Sequence, residues 1–464
     1  MPVRRETGVR ASVNDASGTA STHGLVAFVL GFDADRLPAA VRHESLRGFV
    51  NALGCTVGGA RHALVDRAHA ALSEFAGPPV ASLLGRGQRT DVLTAALLNG
   101  TAGAAYSYFD TYSDALLHPA GPIVAALLAL AERTPVSGPA FLSACAAGIE
   151  VACRLTKAIA VAPAEGEMAW SQTGIACGPA AALAAGKLLG LSEQQMVGAL
   201  GIAISQAAGT RASHASMAAS LIFGQAAQTG LRAALLADQG FTSTDGTLED
   251  RYGFAAVFAK KPHLPVLLAG LGEEFELMRN TYKPFPCGLV IHPAIDAMLR
   301  LRAGHRLDDS TQIERIELGV NAGAMSLGFR PDPKDDLEAK FSVQHWVAAA
   351  ARHGKAGFAE GRLAVVDDPE VRRLRSIIDM QADPALAGDA ATLAVTLRSG
   401  DRFAWRIEHC VGSLESPMSD ADLETKFLDQ VEMVIGRPRA RALLAASWNV
   451  GSQPDVAVLA RQAC

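Results

Sequence analysis

Residues 122–133 read Pro-Ile-Val-Ala-Ala-Leu-Leu-Ala-Leu-Ala-Glu-Arg. Ile123, Ala126, Leu127 and Leu130 recur at helical spacing and share a face, and Pro122 suits a first turn, where its missing N–H would have no partner. The spacing predicts a helix from Pro122 to about Arg133. From His23 to about Phe258 the surrounding chain is rich in Ala, Leu and Gly, with apolar residues mainly at the same spacing. This half therefore reads as packed helices whose small residues let backbones approach closely. The glycines from Gly54 to Gly59 follow no strand and read as close helix packing rather than a phosphate loop. Few side chains are left to carry chemistry, which makes the polar ones informative.

The pattern changes after about Pro262. Residues 313–320 alternate like a strand, with a slip of apolar phase at the start. Leu393, Val395 and Leu397 alternate with polar or small residues, Ser399-Gly400-Asp401 turns the chain, and Phe403, Trp405 and Ile407 resume the period, which predicts a hairpin. Ser419 with Asp422 resembles a capping box, and Leu423, Phe427 and Val431 then continue at helical spacing.

With 464 residues, 49% of them hydrophobic, the chain can bury a large core and divides into roughly two or three domains. A net charge of -5, with both signs scattered, gives no basic stripe for nucleic acid and no polybasic segment for an anionic membrane. The seven cysteines are widely spaced and lack a Cys-x-x-Cys pair, so they read as reduced packing thiols, and no metal site is expected. Residues 1–21 have no apolar core of a secretory signal and read as a disordered tail, which makes a cytoplasmic protein the expectation. The apolar stretches Gly121–Ala131 and Gly174–Leu191 are cut short by Glu132 or contain Pro179 and Lys187, so no transmembrane helix is expected.

Three polar islands stand out. The first is Tyr106-Ser107-Tyr108-Phe109-Asp110-Thr111-Tyr112-Ser113-Asp114, followed by His118-Pro119-Ala120-Gly121. Read as a helix, it sets Asp110 and Asp114 on one face and Tyr108 and Tyr112 together; the plain alternative is a surface helix ending in a His-Pro turn. The second, Gly209 to Ser216, can hold a carboxylate through Arg211 and hydroxyls, or be an ordinary interhelical loop. The third, Tyr282-Lys283-Pro284-Phe285-Pro286-Cys287-Gly288, holds a lysine on a rigid segment. If desolvated, that lysine falls into the range useful for a base; otherwise it is a solvated lysine in a Pro-rich connection.

These islands, together with Leu37-Pro38, Asn51-Ala52-Leu53-Gly54-Cys55, Asn99-Gly100-Thr101-Ala102, Gly186-Lys187-Leu188-Leu189-Gly190-Leu191, Gly224-Gln225-Ala226-Ala227 and Lys340-Phe341-Ser342, follow one another as the marks of the MmgE/PrpD family do. The chain resembles that family over nearly its whole length. The resemblance implies a mostly α fold: a large all-helical domain from residues 22–275 and 418–464, with a smaller α/β lid (α+β in class) inserted at 276–417. It also implies a homodimer, an active site between the domains, and dehydratase, decarboxylase or epimerase chemistry on small carboxylic acids without a cofactor.

Carry-over of the family's site is partial. Asp110, Thr111, His118 and Lys283 match, whereas Ser107 stands where the family's acidic run has Asp. Ser171-Gln172 replaces a His-Pro, Ala219-Ser220-Leu221-Ile222 replaces a Lys-Pro-Leu-His, Gly288 replaces a histidine and Leu327 a tyrosine. The expectation is a lyase or isomerase that abstracts a proton next to a carboxylate, with Lys283 or His118 as base and Asp110 or Tyr112 at the other face. Thr111, Arg211, His214, Ser107 and Ser171 bind the small carboxylate substrate. The alternatives are an epimerase of an iminodisuccinate-like substrate, or an inactive member acting as a dimeric binding protein.

Overall fold

A computed structural model describes residues 20–33, 36–159 and 169–464. Most of the expected tail lies outside the described residues; Ala20 and Ser21 already belong to the first helix. Nine helices form the body of the first half: α1 (Ala20–Gly31), α2 (Ala39–Gly59), α3 (Ala63–Leu72), α4 (Val92–Gly103), α5 (Ala120–Ala131), α6 (Gly138–Ile159), α7 (Gln172–Leu189), α8 (Glu193–Ile204) and α9 (Met217–Asp238). The stretch that predicted a helix is α5. Every one of its residues is buried, because it is apolar all round and neighbours enclose it on every side.

The chain returns to this body at its end. Helix Asp420–Ile435 opens with the predicted capping box of Ser419 and Asp422 and lies along α2. Gly54 and Gly58 make that approach possible: a Cβ at Gly54 would stand 2.7 Å from Phe427, and one at Gly58 2.8 Å from Gln430. The glycines of α2 thus serve close helix packing, and they bring Lys426 of the last long helix against Cys55. Among the described residues one helix, α6, is long and apolar enough to cross a membrane, yet 89% of its apolar window is packed inside the protein. Its Glu150–Arg154 pair, 2.6 Å apart, is also fully enclosed, so α6 is a core helix here.

A second core lies within residues 285–410. It is built on a four-stranded sheet of β5 (Ile313–Val320), β6 (Ile378–Ala382), β7 (Ala391–Leu397) and β8 (Arg402–Ile407) in the order β6-β5-β7-β8. Only β5 and β6 run parallel. The slip of apolar phase at residue 313 is a register shift between Ile313 and Arg315. The predicted hairpin is β7–β8, and Gly400, at φ +91°, supplies the left-handed residue its turn needs. Helices His292–His305 and Val343–His353 pack on this sheet or beside it.

Two further strand pairs are short. One, Ala81–Leu83 with Gln88–Thr90, is local. The other joins residues 170 positions apart and builds the candidate site.

Candidate active site

Strands β3 (Asp110–Tyr112) and β4 (Asn280–Tyr282) pair antiparallel, with Asp110 opposite Tyr282, Thr111 opposite Thr281 and Tyr112 opposite Asn280. Phe109 immediately precedes the first strand and Lys283 immediately follows the second, and the Lys283 Nζ lies 4.1 Å from the centre of the Phe109 ring. Side chains alternate along a strand, so Phe109, Thr111, Thr281 and Lys283 share one face and Asp110, Tyr112, Asn280 and Tyr282 the other. The first polar island is therefore a strand, not the helix its i,i+4 aspartates suggested. Asp114 lies beyond it and pairs with Arg279 at 2.6 Å.

His118 is held over the Phe109 face. Its ring lies 4.1 Å, centroid to centroid, from Phe109 and stacks on Phe223 at 5.8 Å. Its Nδ1 is 2.9 Å from the Asp110 carbonyl oxygen and 3.2 Å from Thr111 Oγ1. A carbonyl can only accept, so Nδ1 carries the proton and Nε2 keeps its lone pair. Burial, reinforced by the positive charges of Lys283, Arg211 and His214, holds the imidazole well below the usual histidine range. His118 is thus a neutral, oriented base.

Lys283 is buried, with Nζ 4.1 Å from the centre of the Phe109 ring. Burial brings its ammonium down to about 7, with the charge of Lys426 adding to the effect and the thiol of Cys287 opposing it. Among the described residues no carboxylate pairs with it. A lysine that titrates near neutral pH can both take and give a proton.

The second island closes around this pair through main-chain contacts. The backbone N–H of His118 donates to Thr173 Oγ1 (3.1 Å), the Ser171 N–H to Gly209 O (3.0 Å) and the Arg211 N–H to Ala169 O (2.9 Å). Ser171 caps α7, accepting from Gly174 N at 3.3 Å. Arg211 is half-buried and His214 more exposed, and desolvation lowers both; Arg211 and then Lys283 push His214 down further. His214 stacks on Phe341 at 6.0 Å. Four described non-glycine residues have positive φ, and three border this site: Ser107 opens the β3–β4 segment, Leu116 precedes His118 by two and Ala215 follows His214. Backbone strain collects where function holds it in place.

Asp110 and Tyr112 face the other way. Asp110 is fully buried, and its Oδ2 accepts from Ala120 N (3.1 Å) and Asn280 Nδ2 (2.9 Å), tying the start of α5 to the neighbouring strand. Burial raises its carboxyl. The Tyr112 hydroxyl donates to Glu276 Oε2 at 2.6 Å, and Glu276 in turn pairs with Lys157 at 2.5 Å. Neither side chain joins the His118–Lys283 face.

Sequence reasoning missed Phe109 as the ring both bases share, and Lys426. Lys426 is buried, with Nζ 4.2 Å from the Tyr108 ring centre. The signal was available: it sits three residues after Leu423, on the stripe of the helix that turns inward. Elsewhere among the described residues, Asp389, His409 and Glu415 bring three possible metal-ligand atoms within 4.8 Å near the end of the four-stranded sheet's chain segment. They are mostly exposed, and the Asp389–His409 contact of 2.7 Å is accounted for as an ion pair that raises the imidazole.

Comparison with known proteins gives this geometry a lineage. The MmgE/PrpD N-terminal domain model matches residues 23–266 and the C-terminal domain model residues 285–450. The chain is similar to cis-aconitate decarboxylase of Homo sapiens, 29% identical over 288 residues, and to that of Mus musculus, 28% over 292. Each match covers 60% of this chain and 59% of the relative's length. A stretch of 132 residues is 37% identical to cis-aconitate decarboxylase of Aspergillus terreus, covering 27% of each chain. The two domain models together span most of the sequence, and the chain belongs to the MmgE/PrpD family.

Proposed function

We propose that this protein is a lyase or isomerase that moves a proton at a carbon next to a carboxylate on a small carboxylic acid. The observation that carries the reading is the pair of neutral nitrogen bases on one phenyl ring: Lys283, brought by burial to about 7, and His118, with Nε2 left as the acceptor. Lys283 takes or gives the carbon-bound proton, and His118 accepts a hydrogen bond from the reacting group or serves as the second base. Arg211 and His214 hold the carboxylate and offset the negative charge that develops when the proton or carbon dioxide leaves, the electrostatic contribution that dominates such reactions. Proton transfer with charge stabilisation asks for neither a metal nor an organic cofactor.

The similarity to cis-aconitate decarboxylases supports loss of carbon dioxide as the first reaction to try. In that case the electrons of the broken C–C bond remain on the substrate, and a proton from Lys283 quenches them. Two bases on opposite sides of one carbon would instead return the proton to the other face, which is epimerisation. Incubation in D₂O with cis-aconitate, 2-methylcitrate and iminodisuccinate, followed by proton NMR, tests the reading. Carbon-bound deuterium or a new product, abolished by both Lys283→Met and His118→Ala, is the expected result. No exchange and no turnover with any of the three would count against it.

A further inference from the structure

Lys426 lies outside the mechanism above, yet it is the more unusual of the two lysines buried against the Tyr108–Phe109 dipeptide. Its ammonium is enclosed and, among the described residues, has no hydrogen-bond partner. Apolar surroundings without a partner are the worst place for a charge, and a Met of similar shape would sit there more easily. Its contact is a ring: Nζ lies 4.2 Å from the centre of Tyr108. The next residue, Phe109, holds Lys283 in the same way at 4.1 Å. Tyr108 also reaches the Lys283 segment itself, donating its hydroxyl hydrogen to Pro284 O at 2.9 Å. On its other side its carbonyl accepts from the Cys55 thiol at 3.0 Å. Two consecutive aromatic residues thus seat two buried lysines that reach the site from opposite ends of the fold.

We propose that Lys426 is a positioning residue for Lys283, placing a second positive charge behind the Tyr108–Phe109 dipeptide so that Lys283 stays neutral and ready to accept a proton. This rests on the reading of Lys283 as the proton-transfer group. The groups that face the two lysines do not cancel the effect. Helix Asp420–Ile435 offers Gln430 and, toward Tyr108, the exposed Asp429; α2 offers Asn51 and Cys55. The β3–β4 face offers Asp110, already committed to Ala120 and Asn280, and the 283–292 segment offers Cys287 and His292. Burial raises the Cys55 thiol to about 11, so it is uncharged at neutral pH. Burial lowers both lysines, and the charge of Lys426 lowers Lys283 further.

The chain has only nine lysines, so a full-length protein labelled at lysine ¹³Cε gives a spectrum in which each can be followed, with Lys283→Met and Lys426→Met identifying the two signals. Titration from pH 5.5 to 10.5 is expected to show the Lys283 signal moving near pH 7, with a second inflection as Lys426 titrates. In Lys426→Met its midpoint should rise by about one unit, as expected when a neighbouring like charge is removed, while Lys426→Arg should leave it nearly unmoved. An unchanged midpoint in Lys426→Met overturns the proposal. Should that variant fail to fold, a wild-type Lys283 curve without the second inflection overturns it equally. These readouts do not depend on turnover: a shifted midpoint in a protein inert toward every acid would sink the functional reading and leave the lysine coupling standing.

Discussion

The ammonium nitrogen of Lys283 lies 4.1 Å from the centre of the Phe109 ring, just past the paired strands Asp110–Tyr112 and Asn280–Tyr282. His118 covers the same ring, so one phenyl group sets the spacing of two bases that come from segments 165 residues apart in sequence. The ring gives both a dry surface, which costs the charged form of each: the imidazole stays neutral, and the lysine exchanges its proton near neutral pH.

Replacing Lys283 with Met removes a group that is expensive to bury. The variant should melt at the same temperature as the wild type or higher, while proton exchange falls by about 10²–10⁴, the range for loss of an acid–base group. Differential scanning fluorimetry beside the exchange assay checks both. Retained activity with a lower melting temperature would show Lys283 to be a packing residue.

Tyr112→Phe separates the two faces of the strand. Its hydroxyl serves Glu276, so the expected loss is about 1–3 kcal/mol of stability in urea unfolding, as for a hydrogen bond to a charged group. Turnover should stay within a few-fold of wild type. A hundredfold fall in kcat with stability unchanged would put Tyr112 in the chemistry.

Asp110 is expected to act through structure. Asp110→Ala strands the Ala120 N–H and the Asn280 amide, at about 1–3 kcal/mol for each buried donor left without a partner. Asp110→Asn keeps an oxygen for both and should recover most of the loss. Equal destabilisation by Ala and Asn in chemical denaturation would argue against this role.

Stability should depend on pH in an unusual direction. Lys283, Lys340 and Lys426 are lowered by burial to about 7, 8 and 8 from 10.5, so in that window the unfolded chain binds more protons and folding is favoured as pH rises. Cys55, Cys145 and Cys410, raised by burial to about 11, 12 and 12 from 9.0, reverse the slope once unfolded thiols ionise. The melting temperature should climb from about pH 6 and peak at about 9 to 10. A steady fall from pH 7 to 8.5 would show that these lysines are not desolvated.

What was legible in the sequence was what local periodicity writes down. Helix α5, the β7–β8 hairpin and the Ser419 cap each depend on neighbours within a few residues, and the structure contains all three. The slip at Ile313 marked a real register shift. Strand Asp110–Tyr112 was not legible, because three residues carry no measurable period and its partner lies at Asn280–Tyr282. Reading that island as a helix set Asp110 with Asp114 and Tyr108 with Tyr112; the structure puts Phe109 and Thr111 beside His118 instead. Lys426 was hidden for a different reason: a lysine on an apolar stripe looks like a side chain that reaches out to water, and only the glycine-assisted approach of α2 closes that route.

The central claim is that Lys283, titrating near neutral pH, transfers a carbon-bound proton of a small carboxylic acid. The pH profile of deuterium incorporation from D₂O, measured with cis-aconitate first and with Lys283→Met alongside, tests it most directly. The account predicts a rate that rises through a midpoint at about 7 in the wild type and stays at background in the variant. Incorporation that ignores the substitution, or a profile with no limb near neutral pH, would contradict it.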